Sequence, residues 1–363
     1  MSFDYYLGAN TPDGFVSFFE GMTDAVSRLY IIKGGPGCGK STAMKRIAAA
    51  CEAAGMAVQR IWCASDTESL DGVYLPELDT LYVDGTAPHV LEPKCPGARD
   101  GILNFGDFWD TAALAARRTE IEKVSAEIAC CYARMYHYLR AAGALAELYR
   151  CSARRQADTD RLARRARRIS TQHIPLRRGA ERGRRIDFFL NTLSPQGPVF
   201  LDSFSDYTVC ELHDGAGLHA FLTESVMETA LSSGYTVYAA HDPLFPQDSP
   251  LHLVIPELRF ALLTSGGTFG CPPTGNRRIR LDKMTDSGEP GSAAVRRKND
   301  RWSYEHLLRS AGEALGDAKD LHDELEALYR PAVDFRLIDA LVERQIEGLI
   351  KEFKRKRHDF RSL

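Results

Sequence analysis

Short apolar runs bounded by glycine and polar residues alternate with long helical stretches along this chain, and the alternation occurs twice. Leu29-Tyr30-Ile31-Ile32 is an apolar run of strand type, and residues 42–54, rich in Ala, Lys and Met, read as a helix. Apolar runs at 57–63 and 80–84 predict two further strands. From about 109 to 168 the apolar positions recur at helical spacing with few breakers, as in IEKVSAEIACCYARMYHYLRAAGALAELYR. The second half repeats this order, with strands near 235–240 and 260–264 and a helical stretch from about 302 to 356. Residues 265–293 are dense in Gly, Pro, Asp and Ser and predict a surface loop. The alternation predicts the α/β class, with paired long helices forming an antiparallel hairpin that projects from each core.

The repetition extends to short motifs. Asp4-Tyr5-Tyr6-Leu7 and Thr11-Pro12-Asp13-Gly14 return as Asp187-Phe188-Phe189-Leu190 and Ser194-Pro195-Gln196-Gly197. Pro76-Glu77-Leu78 returns as Pro256-Glu257-Leu258, and Leu148-Tyr149-Arg150 as Leu328-Tyr329-Arg330. Every separation is about 180 residues, the mark of an internal duplication. The copies span 1–186, with a helical insertion at about 109–180, and 187–363, with a C-terminal helical hairpin at about 295–360.

Between the first strand and the first helix lies Gly34-Gly35-Pro36-Gly37-Cys38-Gly39-Lys40-Ser41. Strand, glycine turn and helix in that order aim backbone N–H groups and a helix N-terminus at one point, an arrangement suited to a polyphosphate. The glycines admit backbone angles and close approaches that a Cβ would block, and Pro36 stiffens the turn. Lys40 supplies a mobile positive charge, and the Ser41 hydroxyl is an oxygen donor of the kind Mg²⁺ takes. A glycine-rich turn that binds nothing is the alternative. Cys38 is either a small filler or an oxidant-accessible thiol.

The loop and its flanks resemble the P-loop NTPase superfamily, over roughly the first hundred residues. The resemblance implies a nucleoside triphosphate, ATP or another, held with Mg²⁺ by Gly35, Pro36, Gly37, Cys38, Gly39, Lys40, Ser41 and Thr42. It makes Asp84, at the end of Leu81-Tyr82-Val83-Asp84, the second metal ligand beside Ser41 and, with Lys40, part of the catalytic set. The duplicated layout, with SDTESLDG and DGTAPH after the loop, looks like a group of uncharacterised bacterial two-copy P-loop ATPases. Many such ATPases carry Glu after the metal-binding Asp, whereas Gly85 stands here. Asp66, Glu68, Thr86 and His89 are candidates to replace it; Asp66 and Asp71 read equally as turn or helix caps, and His89 as an ordinary loop histidine.

The second copy lacks this chemistry. Counted from the helix ends, where Gly55 matches Gly234, Lys40 falls opposite His219 and Ser41 opposite Ala220; Asp84 aligns with Thr264, at the offset of the Pro-Glu-Leu motif. Asp214 puts negative charge where a phosphate would sit. The second half is therefore expected to be a degenerate copy of the first, a scaffold or a regulatory partner.

Arginines crowd the segment from Arg150 to Arg185, including Arg164, Arg165, Arg167 and Arg168. They read as a solvated face with acidic partners in the chain, as the source of an arginine for a γ-phosphate, or as a surface for nucleic acid or a protein. The net charge of −3 offers no general attraction for polyanions. Nine cysteines without a C-x-x-C pair argue against zinc and for reduced thiols. No apolar stretch approaches the ~20 residues of a membrane span, and MSFDYYLGANTPDG lacks the character of a signal peptide. The expectation is a cytoplasmic protein without a membrane partner; oligomer formation stays open. The leading functional expectation is Mg-dependent ATP binding and hydrolysis coupled to an unknown partner. The alternatives are a nucleotide or small-molecule kinase, from the likeness of DGTAPH to a kinase D-G-x-P-R segment, and a nucleotide-gated binding module with negligible turnover.

Overall fold

Leu29, Ile31 and Ile32 are buried because their strand, Arg28–Lys33, is flanked on both sides. It runs parallel to Thr80–Asp84 on one side and to Asp100–Asn104 on the other. The computed structural model describes residues 3–275, 278–284 and 291–361, with the side chains at 149, 152, 291–298 and 359–361 outside the description. The chain forms two compact units. One comprises Met1–Tyr5, Phe19–Tyr132 and Leu315–Leu363, the other Tyr6–Phe18 and Ala133–Ala314.

The first unit holds a five-stranded sheet in the order Gln59–Trp62, Leu70–Leu75, Thr80–Asp84, Arg28–Lys33, Asp100–Asn104. Leu70–Leu75, which apolar patterning did not reveal, is antiparallel to both neighbours and makes the sheet mixed. Asp71 and Gly72 weaken its strand signal; ladders on both sides supply what propensity lacks. The helix after the glycine loop, Lys40–Ala53, buries Ala43, Met44, Ile47, Ala48 and Cys51. That core is completed by Ile338, Val342, Ile346, Leu349 and Phe353, a stripe at helical spacing on Phe335–Arg361. Tyr82 Oη donates to Gln345 Oε1 at 2.9 Å, and Arg28 pairs with Glu352 at 2.6 Å, along the same contact.

The second unit holds a six-stranded sheet in the order Arg278–Arg280, Thr208–His213, Phe260–Ser265, His252–Ile255, Val237–Ala240, Arg185–Phe188. Thr208–His213 is parallel to both neighbours, and His252–Ile255 is antiparallel to both of its own. This is the connectivity of the first sheet repeated. Even the outer strand Arg185–Phe188 has a counterpart there, the parallel bridge of Tyr5 with Ile61. The Pro-Glu-Leu motif makes the same turn in both units, closed by Asp79 at φ 48° and Arg259 at φ 45°. Glu77 and Glu257 accept from the amides of Ala57 and Thr236, at 2.9 and 3.0 Å. The duplication is thus written in hydrogen bonds as well as in sequence.

The helical stretches divide differently from two self-contained hairpins. The first breaks into Thr111–Ala116, Arg118–Arg155 and Thr159–His173, the second into Gly291–Tyr329 and Phe335–Arg361. Thr159–His173 buries Leu162, Ala166 and Ile169 in the second unit's core with Leu222, Val226 and Ala230 of Ala220–Ser232. Phe335–Arg361, from the second sequence copy, packs on the first core. Each core is therefore covered by the terminal helix of the opposite copy, and the compact units do not follow a boundary near 187. An amphipathic stripe announces that a helix will be covered, without naming its cover. Of the predicted surface loop, residues 276–277 and 285–290 lie outside the described residues. Among the described residues no helix is long and apolar enough to cross a membrane.

Ile338→Ala should lower the stability of the first unit by about 2–4 kcal/mol, read as a fall in denaturant midpoint. Leu337→Ala, one position round on the exposed face, should cost under about 0.5 kcal/mol; equal losses would refute the packing.

Candidate functional site

The glycine loop leaves the carboxyl end of Arg28–Lys33 and enters Lys40–Ala53. Gly37 and Gly39 sit at φ 66° and 83°, in the left-handed region that glycine reaches without cost. Lys40 Nζ donates to the carbonyls of Gly34 and Gly35 at 3.1 and 3.0 Å. It lies 3.6 Å from Asp84 Oδ2, with both side chains largely buried at 12% and 15% exposure. Strand pairing accounts for the meeting, because Asp84 stands opposite Ile32, two residues before the loop begins. Asp84 Oδ1 accepts from the amide and hydroxyl of Thr86, at 2.9 and 2.6 Å, which turns Oδ2 toward Lys40. Ser41 Oγ accepts from Leu70 N at 2.9 Å. Cys38 is fully buried and its Sγ donates to Gly35 O, so it fills space; burial raises its thiol pKa. Pro36 is half-buried and Thr42 exposed.

A third acidic group joins the site. Gly72 pairs with Val83 in the antiparallel ladder, which brings the preceding Asp71 within reach of the charge of Asp84. Asp71 is buried, and burial, with the charge of Asp84 adding to it, pushes its carboxyl up to about 8. His89 Nε2 is 3.9 Å from Asp71 Oδ1, and its ring stacks on Phe19 at 4.7 Å. Burial lowers the pKa of this imidazole. Asp66, by contrast, caps its own turn, accepting from Glu68 N and Ser69 Oγ at 3.1 and 2.9 Å. Glu68 is exposed, and Thr86 is the partner of Asp84. No cluster of three or more His, Cys, Asp or Glu side chains among the described residues is poised to hold a metal.

The outer face of the loop is roofed. Gly37 N donates to Glu326 Oε1 at 3.2 Å, and a Cβ at Gly37 would fall 2.9 Å from the Glu326 carbonyl. A Cβ at Gly35 would meet Tyr329 at 3.1 Å and Trp109 at 3.2 Å. The glycines therefore serve close packing as well as any anion. Gly85 is constrained in the same way: a Cβ there would collide with Ile31 Cγ2.

The second unit's turn is filled from within. Asp214 accepts from the amides of Ala216 and His219, at 2.8 and 2.7 Å, and from His219 Nδ1 at 2.9 Å. Strand register sets Asp84 beside Ile32 and Thr264 beside Leu212, and Gly37 and Gly217 share a left-handed φ. Counted from the strands, Lys40 thus corresponds to Ala220, one residue from the helix-end alignment; either way no lysine is present. The arginine-rich segment finds partners within the second unit. Arg150 and Arg154 pair with Asp248, Arg177 with Glu257, Arg182 with Glu228 and Arg185 with Asp187. Arg164, Arg167 and Arg168 line the exposed face of Thr159–His173.

Comparison with protein-family models, with curated proteins and with solved structures returned no match.

The raised Asp71 carboxyl carries a pH signature. A folded state that holds a proton the unfolded chain has released loses stability as pH rises, here between about 4 and about 8, by at most about 1.4 kcal/mol per pH unit. Asp71→Asn should flatten that decline and be more stable than wild type above pH 8, in melts without metal or nucleotide. A wild-type profile that is already flat would contradict the buried, protonated carboxyl.

Proposed function

We propose that the first unit is a P-loop NTPase domain that binds a magnesium–nucleoside triphosphate, ATP foremost, at the glycine loop and hydrolyses it. The observation that carries this reading is the setting of Lys40. Its ammonium rests on two loop carbonyls and beside Asp84, partners that polyphosphate oxygens can replace. The matching sheet connectivity around a turn without lysine supports the second unit as a degenerate copy.

In this reading the loop amides and Lys40 bind the phosphates and stabilise charge on the transferred phosphoryl oxygens. Ser41 Oγ and Asp84 Oδ2 are hard oxygen donors and would hold Mg²⁺, which when bound supplies charge neutralisation at the phosphate oxygens. Glu326 accepts from Gly37 N as a phosphate oxygen would, so it competes with the nucleotide. Asp71, across the ladder from Asp84, is the acid best placed to orient water where Gly85 leaves no room for a side chain.

The crowding at Gly85 also favours a second reading, tight binding with negligible turnover. Phosphate release from ATP and Mg²⁺ alone supports the hydrolase; release only with an acceptor supports a kinase; tight binding without product over hours supports the binding module.

Lys40→Ala should weaken nucleotide binding by more than about tenfold in calorimetry, and unchanged affinity would remove the site. Asp84→Asn should weaken binding more with Mg²⁺ than without it. Glu326→Gln should tighten binding about three- to tenfold, the worth of one charge-assisted hydrogen bond near the surface; a loss of affinity would show that the carboxylate does not compete.

A further inference from the structure

The second unit contains a cavity of about 80 Å³ beside the turn at 214–219, lined among others by Arg150, His219, Asp242, Phe245 and Tyr304. We infer that this cavity binds a small oxyanion, the carboxylate or phosphate group of a small metabolite, on Arg150 and His219. The site is independent of the nucleotide reading of the first unit.

Both side chains are buried, at 5% and 3% exposure. Arg150 Nη2 donates to Asp248 at 2.8 Å, and the guanidinium lies 3.7 Å over the ring of Phe245. Its Nε and Nη1 have no hydrogen-bond partner among the described residues. His219 Nδ1 donates to Asp214 at 2.9 Å, whereas Nε2 has no hydrogen-bond partner among the described residues. A buried donor left unpaired costs about 1–3 kcal/mol, and more when charged. Such groups in a folded protein call for a missing acceptor.

The spare donors of the wall are those of Arg150. Both oxygens of Asp214 are spent, Oδ1 on the Ala216 amide and Oδ2 on the amide and ring of His219. Asp248 is shared between Arg150 and Arg154. Asp242 accepts from Leu244 N at 2.9 Å, and burial pushes the pKa of its carboxyl up. Thr268 and Tyr304 bond to each other, and Asp300 and Arg301 bring opposite charges to the lining. A ligand that offers acceptor oxygens meets Arg150 directly, and a hydroxyl on the same ligand can donate to His219 Nε2, since the ring gives its Nδ1 proton to Asp214; a cation finds no free carboxylate on Asp214 or Asp248. The volume suits one oxyanion group with a short tail and falls well below the ~300 Å³ of a site for larger ligands. Gly217, at φ 76°, keeps the turn open to the arginine, since a Cβ there would lie 2.5 Å from Arg150 Nε.

The test is calorimetry and thermal melting of the full-length protein with inorganic phosphate and, separately, with lactate. Binding of either anion at or below about 1 mM is expected, with the arm that responds naming the group. Arg150→Met should weaken it at least about tenfold and His219→Gln measurably, whereas Lys40→Ala should leave it unchanged. The Lys40 variant separates this site from any anion held by the first unit's loop. Should Arg150→Met fail to fold, His219→Gln and Arg150→Lys read the same wall. No binding of either anion at about 1 mM, or binding that survives the Arg150 and His219 changes in folded protein, would overturn the proposal.

Discussion

Amide N–H groups at a turn that enters a helix cannot be satisfied by the helix itself, and they must find an acceptor elsewhere. Both turns answer that constraint with a carboxylate, the second copy's with its own Asp214 and the first copy's with Glu326 from the other copy. Asp214 belongs to the turn it satisfies. It takes two amides and an imidazole at once, so removing it would expose three donors together. Glu326 reaches its turn from a distant helix and takes one amide at 3.2 Å. The carboxylate built into the second turn occupies the amides of Ala216 and His219 permanently. In the proposed reading, the nucleotide would displace the Glu326 carboxylate from Gly37.

The glycines carry two constraints that coincide. Gly37 and Gly39 hold backbone angles that side chains resist, and Gly35 and Gly37 face aromatic rings and helix backbone at distances that exclude a Cβ. Packing alone would explain Gly35. It would not explain a lysine directed at the loop's carbonyls and at a carboxylate two strands' pairing away, which needs a charged ligand or an ion pair to justify its burial. The same crowding removes any side chain from position 85, while the charge of Asp84 is felt by the buried Asp71.

Much of this was readable in the chain. The loop and Lys40 followed from local pattern, because strand, turn and helix are consecutive and short-range rules govern them; Asp84, 44 residues further on, came from the resemblance alone. The duplication was readable because its turns are specified by their own residues, as the paired Glu77 and Glu257 contacts attest. Asp71 was read as a candidate or a turn or helix cap, not as a strand residue, because Leu70–Leu75 is held by its neighbours rather than by its own propensity. The signal was nonetheless present, since Asp71 and Asp84 lie equally far from the turn Pro76–Asp79 and a hairpin brings such positions to the same end of its strands. Glu326 and the exchanged helices left no such trace. A carboxylate on a helix face, or an apolar stripe, carries no address for a partner hundreds of residues away.

That exchange gives the proposed nucleotide site a mechanical outlet. Within the first unit, Glu326 is followed by Tyr329, the short turn Arg330–Ala332 and the helix Phe335–Arg361, and Tyr329 and Phe335 stand over Gly35 and Gly39. The loop helix and Phe335–Arg361 share one buried stripe. An incoming phosphate that displaces Glu326 therefore acts on a segment that cannot move without disturbing its packing on the loop helix, because close-packed cores respond by stepping between arrangements rather than by yielding gradually. In the proposed reading, binding energy gained at one amide would in this way be passed to a long helix.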